Sequence, residues 1–271
     1  TYHGNTTAVA QLSRTNIPAT GDGSHVRHVP APDSYRPLGG QGGMAHAHAF
    51  AASVQAAIDD LNSSGHGFAG AIFCPAFLNE GFPTLEPGWF APVAEVVRRA
   101  GGLMIADEVQ PGFGRTGTHF WGHQRIGLHP DIVTMGKPMG NGYPVAGLVM
   151  RPEVIAAFGA KARYFNTFGG NAVAAATALA VLEVIEDEGL QENSGVVGRM
   201  FRDGLTDLAS RHACLGPLRS AGLFLGQDIV KDDLPDAART TRLVNGLRDE
   251  HILISATGPR ANVLKIRPPL V

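Results

Sequence analysis

Residues 102–108 read Gly-Leu-Met-Ile-Ala-Asp-Glu, and residues 132–137 read Ile-Val-Thr-Met-Gly-Lys. Each stretch contains a short apolar run with the length and composition of a buried strand, and polar residues follow it directly. Similar runs occur at 69–73 and 145–150, and apolar residues spaced as in a helix occupy 89–100. This alternation of strands and helices predicts an α/β fold with an open, mostly parallel sheet.

The C-terminal part of the chain has a different pattern, which predicts a smaller α+β unit. Its predicted helices cover 172–188, 191–212 and 236–250, and its predicted strands cover 222–226, 252–254 and 263–266. An Ala-rich helix is also predicted near the start, at 45–61. We therefore expect a large domain in residues 1–170. Residues 171–271 are expected to form a long linking helix and a small C-terminal domain.

Composition excludes several classes of protein. The 271 residues carry 22 Lys and Arg against 24 Asp and Glu, so no basic surface for nucleic acid is expected. Two cysteines, Cys74 and Cys214, cannot form a disulfide framework, which favours the reducing cytoplasm. The longest apolar stretch, 172–185, is too short and too polar for a membrane span. The first residues have neither the basic nor the apolar region of a signal peptide and do not start with Met, so we expect both ends of the sequence to be cut from something longer.

Two other patterns give only weak evidence for a binding site, one for a dinucleotide and one for a metal ion. Residues 112–117 match G-x-G-x-x-G, but no helical pattern follows them, so a glycine-shaped loop is preferred over a dinucleotide site. His46 and His48 would point to different sides of one helix and cannot bind the same metal ion. His25 and His28 are better spaced but have no Cys or carboxylate partner in a ligand pattern. We therefore expect no metal site.

Each of the two strands predicted in residues 102–108 and 132–137 is associated with a potentially reactive side chain. Asp107 ends the first of them, where an unpaired buried carboxylate would be costly. Lys137 follows the second, and open α/β sheets bind ligands beyond the carboxyl ends of their strands. The two side chains are therefore expected to converge at one edge. The alternative is that Lys137 is an exposed lysine in the Gly-rich turn 136–142.

Four segments together resemble the class III aminotransferases, which are fold-type I enzymes that use pyridoxal 5′-phosphate. They are residues 105–117, 130–137 and 165–171, and Asn193 near a Val-Gly pair. The resemblance extends from Tyr2 to Leu270. It implies a fold-type I large domain and this cofactor.

The resemblance assigns roles to three residues of the large domain. Lys137 is implied to form the Schiff base with the cofactor and, once freed, to remove a proton from the substrate carbon that bears nitrogen. Asp107 is implied to pair with the pyridine nitrogen, since a buried carboxylate keeps that nitrogen protonated. Gln110 is implied to hydrogen-bond the ring hydroxyl.

Other implied contacts involve the chain start and a second subunit. Tyr2, in the sequence Tyr-His-Gly, resembles the aromatic residue that stacks on the cofactor ring, and His3 beside it is also expected to bind the cofactor. Thr167 resembles the threonine that reaches the cofactor phosphate of the neighbouring subunit. A homodimer with shared active sites is therefore implied. The family's glycine-containing phosphate cup precedes the residue that corresponds to Tyr2.

Two departures from the family bear on the reaction. Amino-acid-using members carry a Glu where this chain has Cys74, and an Arg that grips the substrate carboxylate where it has Lys265. A lysine ammonium is a compact charge and cannot form the paired hydrogen bonds that an arginine guanidinium forms with a carboxylate. The sequence therefore favours a substrate without an α-carboxylate. Arg267 is a second candidate for contacting the substrate.

Residues 135–142, 164–170 and 262–269 most resemble the phospholyase branch, whose members act on ethanolamine phosphate or 5-phosphohydroxylysine. The first expectation is elimination of phosphate from such a small-molecule amine. The alternatives are an amine or ω-amino-acid transaminase and a catalytically inactive homologue.

Overall fold

The computed structural model describes residues 2–13 and 23–271, and its first sheet contains the predicted α/β strands. The strands are β1 (Gly70–Phe73), β2 (Leu103–Asp107), β3 (Ile132–Met135) and β4 (Gly147–Met150), in the order β1-β2-β3-β4. Pairing is parallel between β1 and β2 and between β2 and β3, whereas β4 is antiparallel to β3. The prediction of an open, mostly parallel sheet is confirmed.

Helices bury one apolar face against this sheet. Helix α1 (Thr7–Ala10) is short, and α2 (Gly43–Ser63) and α3 (Ala91–Arg99) pack on each other and on the strands. The buried apolar residues of α2 recur at helical spacing: Ala47, Phe50, Ala51, Val54, Ile58 and Leu61. Phe50 lies at the centre of an aromatic cluster with Phe73, Phe77, Trp89 and Phe90. This core holds the carboxyl ends of β1 and β2 in place.

Short helices follow, and two long helices lead to a second sheet. They are α4 (Gly122–Arg125), α5 (Pro152–Lys161), α6 (Ala172–Asp187) and α7 (Leu190–Arg211). The second sheet contains β5 (Leu215–Ala221), β6 (Phe224–Lys231), β8 (Ser255–Thr257) and β9 (Val263–Ile266), all antiparallel in the order β5-β6-β9-β8. The two-residue strand β7 (Leu234–Pro235) pairs with β6, and α8 (Ala237–Asp249) completes the unit.

Ser194 of α7 connects the two parts of the chain. Its hydroxyl donates to the carbonyl oxygen of Arg115 at 2.7 Å and accepts from the backbone N–H of Leu223 at 3.0 Å. Ser194 is fully buried, so both hydrogen bonds are shielded from water. The loop after β2 is thereby tied to the hairpin of the second sheet.

Several predicted bounds in the C-terminal part are wrong. Strand β5 was not predicted, because Gly216 and Pro217 interrupt its pattern. The strand predicted at 222–226 begins only at Phe224, since Gly222 has a φ of +52° in the preceding turn. The strand predicted at 252–254 lies instead at β8, and Ile252 and Leu253 are exposed. In the part expected to form the large domain, helix α5 was not predicted either.

The glycine-rich segment 112–117 is a loop, as preferred from the sequence. Turns occupy it, and the next helix, α4, begins only at Gly122. Gly117 has a φ of +77°, and a Cβ there would lie 2.8 Å from the Cα of Gly195 in α7. Glycine therefore allows this loop to pack against α7, and the dinucleotide alternative is wrong.

The histidines lie apart from any metal-binding arrangement in the described chain. His46 is buried in α2 with its ring 5.1 Å from that of Trp89, and burial lowers its pKa. Residues 2–13 and 23–271 contain no group of three or more His, Cys, Asp or Glu that could hold a metal ion. Within the same residues, no helix is both long and apolar enough to cross a membrane.

Candidate active site

Asp107 and Lys137 follow the same edge of the first sheet. Asp107 is the last residue of β2 and is paired in register with Thr134 of the neighbouring parallel strand β3. Gly136 and Lys137 come directly after β3, and Lys137 begins a single 3₁₀ turn that ends at Met139. Carboxyl ends of neighbouring parallel strands form the usual ligand-binding edge of such a sheet. The expectation that both residues lie at one edge agrees with this arrangement.

The backbone at Lys137 is strained. Its φ is +38°, a region that residues with a Cβ rarely adopt, and Pro138 follows it. Strain of this kind costs on the order of 1–3 kcal/mol and concentrates at functional sites. The fold therefore holds Lys137 in a conformation that its local sequence does not favour.

Asp107 is buried and has two hydrogen-bond partners. Its residue is 6% exposed, the ring Nδ1 of His3 lies 2.7 Å from Oδ2, and the backbone N–H of Val109 donates to Oδ1 at 3.1 Å. The backbone N–H of His3 donates to the hydroxyl of Ser13 at 2.8 Å, which anchors the chain start over the sheet edge. His3 thus fixes the orientation of the carboxylate.

Tyr2 lies beside the lysine. The Nζ atom of Lys137 is 5.6 Å from the centre of the Tyr2 ring, within the range of a cation–π contact. Tyr2 and His3 therefore approach Lys137 and Asp107, respectively, from one short segment. Two of the predicted cofactor-binding residues, Tyr2 and His3, are brought together with the predicted catalytic pair in this way.

Lys265 of β9 is a buried cation in the same region. Its ammonium donates to Asn79 Oδ1 at 2.8 Å and to Gln110 Oε1 at 3.0 Å, and Gln110 Nε2 donates to Asn79 Oδ1 at 3.4 Å. Burial, the positive charge of Arg267 and that of Lys137 lower the pKa of Lys265 to about 8. Gln110, predicted to contact the cofactor hydroxyl, thus also binds Lys265.

Cys74 follows β1, close enough to interact electrostatically with both Asp107 and Lys265. Burial and the charge of Asp107 raise the pKa of its thiol to about 12. The thiol is therefore neutral at physiological pH. It does not supply the negative charge that a Glu would carry at this position.

Several of these groups border an open cleft of about 520 Å³. Its wall includes Tyr2, Asn79, Gln110, Lys137, Lys265 and Arg267, together with small residues of β8 and the turn after it. A neighbouring cavity of about 160 Å³ shares Gln110, Lys137 and Arg267 and extends to Arg115. Both predicted substrate residues, Lys265 and Arg267, therefore face the space in front of Lys137.

Thr167 lies elsewhere on the molecule. It belongs to the exposed segment between α5 and α6 and is not among the residues that form the cleft walls. A contact with the cofactor of a neighbouring subunit, rather than with that of its own chain, stays a prediction.

Two features of the site were missed in the sequence. Asn79 lies in a single 3₁₀ turn, Leu78–Glu80, and belongs to no recognisable motif. Glu108 is fully buried and accepts hydrogen bonds from the backbone N–H groups of Gly122 and His123, and its Oε1 lies 2.8 Å from His123 Nδ1. It closes the loop that carries Gln110. In the sequence, the only indication of a role for Glu108 was its position directly after Asp107 at the end of an apolar run.

The residues at this site fit pyridoxal phosphate. The cofactor has an aldehyde and a pyridine ring that carries a proton. The site offers a lysine amine for the aldehyde, a buried and oriented carboxylate for the ring nitrogen, and an aromatic ring next to the amine. Lys137 would attach the cofactor, Asp107 would pair with its ring nitrogen, and Tyr2 would cover the ring.

Comparison with known proteins gives the family. The family model "Aminotransferase class-III" matches residues 1–271. Ethanolamine-phosphate phospho-lyase homolog 1 of Caenorhabditis elegans is 40% identical over 290 residues, covering 99% of this chain and 62% of that protein. Alanine–glyoxylate aminotransferase 2-like of Drosophila melanogaster is 37% identical over 286 residues, with coverage of 99% and 57%.

A solved structure of a phospholyase from Arthrobacter in complex with phosphoethanolamine superposes with a TM-score of 0.91 at 41% identity. The match covers 100% of this chain and 64% of that one. A Bacillus anthracis aminotransferase superposes with a TM-score of 0.86 at 29% identity, covering 100% and 63%. These matches establish the fold as fold-type I. The chain belongs to the class III aminotransferase family, and it spans less than two thirds of the length of these relatives.

Proposed function

We propose that the protein that contains this chain is a pyridoxal-phosphate-dependent lyase that eliminates phosphate from an O-phosphorylated amine such as ethanolamine phosphate. The observation that carries the proposal is Lys265, a buried cation that faces the cleft at the position of the family's carboxylate-gripping Arg. Similarity to the worm phospho-lyase homologue and to the Arthrobacter phospholyase with phosphoethanolamine supports it.

Lys137 and Asp107 have distinct tasks in this proposal. The bound cofactor would supply an electron sink for negative charge that develops on the carbon next to the amino nitrogen. Lys137 binds the cofactor and removes the proton from that carbon, while Asp107, oriented by His3, holds a proton at the ring nitrogen. Tyr2 excludes water from one side of Lys137.

Lys265 and Arg267 bind the leaving group. A phosphate dianion next to two cations gains charge-assisted hydrogen bonds that an uncharged amine cannot form. In the overall reaction one proton is removed from the carbon that bears nitrogen, the C–O bond to phosphate breaks, and a proton is added to the carbon that carried the phosphate. Water then enters at the carbon that bears nitrogen, so that one amine and one water give one aldehyde, one ammonia and one phosphate. No amino acceptor is consumed.

The expected result is continuous release of inorganic phosphate and aldehyde from ethanolamine phosphate with no keto acid present. The measurement is a phosphate and aldehyde assay on the full-length holoenzyme over many turnovers. If turnover stops after one equivalent, and pyruvate or glyoxylate restarts it, the enzyme is a transaminase and the lyase proposal fails.

An aminotransferase is the second candidate. It is supported by the Drosophila relative and by Arg267, which lines both the cleft and the adjoining cavity and whose guanidinium suits a substrate carboxylate. The keto-acid dependence in the preceding experiment distinguishes the two reactions.

We also propose a homodimer. Helix α6 is largely apolar, yet Ala174 and Ile185 are its only residues described as buried, and Phe165 and Phe168 in the segment before it are each 81% exposed. An apolar face of this kind on a water-exposed helix marks an interaction surface. Thr167 lies between the two phenylalanines in the sequence, so a second subunit bound at this surface would contact Thr167.

Phe165→Asp together with Leu179→Asp is expected to shift the full-length protein from dimer to monomer and to abolish most turnover. A buried interfacial charge without a partner is unfavourable by several kcal/mol. Light scattering after size exclusion measures the mass. The matched control is Leu253→Asp, which changes a residue that is 89% exposed outside this surface and is expected to remain dimeric. A fully active monomeric wild type would disprove the dimer.

A further inference from the structure

Asn79 connects three elements at the wall of the cleft. It lies in the 3₁₀ turn after β1, while its partners Gln110 and Lys265 come from the loop after β2 and from β9. Its Oδ1 atom accepts from both partners. A single amide thus links a residue predicted to contact the cofactor with a residue predicted to contact the substrate.

The chemistry of lysine sets the orientation of both amides. An ammonium group only donates hydrogen bonds, so Asn79 and Gln110 must turn their oxygens toward Lys265. Gln110 then uses one Nε2 hydrogen for Asn79 and keeps the other for a further acceptor. Loss of the Asn79 oxygen would therefore disturb both Lys265 and Gln110.

Both acceptors solvate the ammonium without cancelling its charge. Amide oxygens carry only partial negative charge, whereas a carboxylate in the same place would form an ion pair. The charged groups that act on Lys265 are Arg267, Lys137 and Glu80, and the neighbouring thiol of Cys74 is neutral. Lys265 also lies with its Nζ 5.8 Å from the centre of the Phe224 ring. Its position is therefore defined, and its charge stays available to a ligand.

We propose that Asn79 is a positioning residue that determines substrate choice, because its side-chain oxygen holds the Lys265 ammonium at the cleft wall, oriented and not neutralised, for a phosphate-bearing substrate. This inference rests on the proposed lyase function for the identity of the substrate. Asn79 acts through Lys265 and contacts no reacting atom. A carboxylate at position 79 would instead occupy Lys265 and compete with the phosphate.

The test compares Asn79→Asp and Asn79→Leu with the wild-type holoenzyme. Calorimetry measures the binding of inorganic phosphate between pH 6.5 and pH 9.5, and steady-state kinetics measures kcat and KM for ethanolamine phosphate. The matched control is Asn62→Asp, which adds the same charge at an exposed position near the end of α2. It is expected to behave as wild type.

In the wild type, phosphate affinity is expected to fall as the pH rises through about 8, because Lys265 then loses its proton. Asn79→Asp is expected to weaken phosphate binding and raise KM about tenfold or more, with little change in kcat, since loss of one charge-assisted contact is of that size. In Asn79→Asp, the pH at which phosphate affinity falls is expected to be higher than in the wild type, because a neighbouring carboxylate raises the pKa of Lys265. Asn79→Leu shifts the fall to lower pH, because the ammonium loses an acceptor.

Each outcome is decisive for one of the two proposals. If both variants bind phosphate as the wild type does, with the same pH dependence, Asn79 is not a positioning residue, whatever reaction the enzyme performs. If phosphate binding changes as expected but the wild type releases no phosphate from ethanolamine phosphate, the role of Asn79 stands and the lyase function fails. A loss of stability alone would lower folded yield without moving the pH dependence, and would also overturn the inference.

Discussion

Lys137→Ala is expected to reduce turnover of ethanolamine phosphate by about 10⁴-fold or more, since it removes both the covalent anchor and the general base. No neighbouring group replaces it in the proposed chemistry, because Lys265 is held by Asn79 and Gln110 across the cleft. The rate of phosphate release measures the loss. Lys231→Ala, at an exposed position at the end of β6, is the control and should keep full activity.

Attachment of the cofactor gives a second readout for Lys137. Borohydride reduction of the wild-type holoenzyme, followed by peptide mapping, is expected to find the pyridoxyl label on Lys137. A label on Lys161 or Lys265 would refute the assignment. Strain supports the expectation, since the φ of +38° at Lys137 persists only where the surrounding structure enforces it.

Asp107→Asn is expected to lower kcat by about 10²–10⁴-fold, the range usual for the loss of a positioned group that holds a proton in the reaction. The amide has the same shape but no charge, so it cannot hold a proton at the cofactor ring nitrogen. Near-stoichiometric cofactor content is expected to remain, because Lys137 still binds it. The loss of activity should therefore appear in kcat and not in the cofactor content.

Absorbance of the bound cofactor and the rate of phosphate release separate these two effects. Asp59→Asn, at an exposed position in α2, removes the same charge outside the site and is expected to leave kcat unchanged. Near-normal turnover in Asp107→Asn would mean that another acid performs the task. Equal loss of cofactor and of activity would instead make Asp107 a binding residue only.

Local sequence was sufficient for elements whose apolar pattern is continuous. Strand β3 covers the first four residues of the stretch 132–137 that predicted it, and α6 differs from its prediction by a single residue at its end. The carboxyl ends of β2 and β3 are neighbours because parallel strands joined by a crossover run in the same direction. Asp107 and Lys137 could therefore be paired from sequence alone, and the family resemblance assigned their roles.

Local patterns failed where pairing partners decide the structure. Strand β5 contains Gly216 and Pro217, and it is a strand because β6 pairs with it across a tight turn. The segment 252–254 is apolar but lies outside the sheet, while the less apolar β8 pairs with β9. Strand formation depends on cross-strand contacts more than on intrinsic preference.

The sequence by itself determined the α/β fold, the family and the residues at the ends of β2 and β3, because these follow from short-range patterns and motifs. Only the tertiary structure decided that His3 orients Asp107, that Asn79 and Gln110 hold Lys265, and that Cys74 stays a neutral thiol. The physical reason is distance along the chain. Asn79 and Lys265 are separated by 186 residues, and their hydrogen bond exists because the segment that follows β1 packs against the second sheet. Burial and charge at such contacts depend on the packed molecule and leave no periodic trace in the sequence.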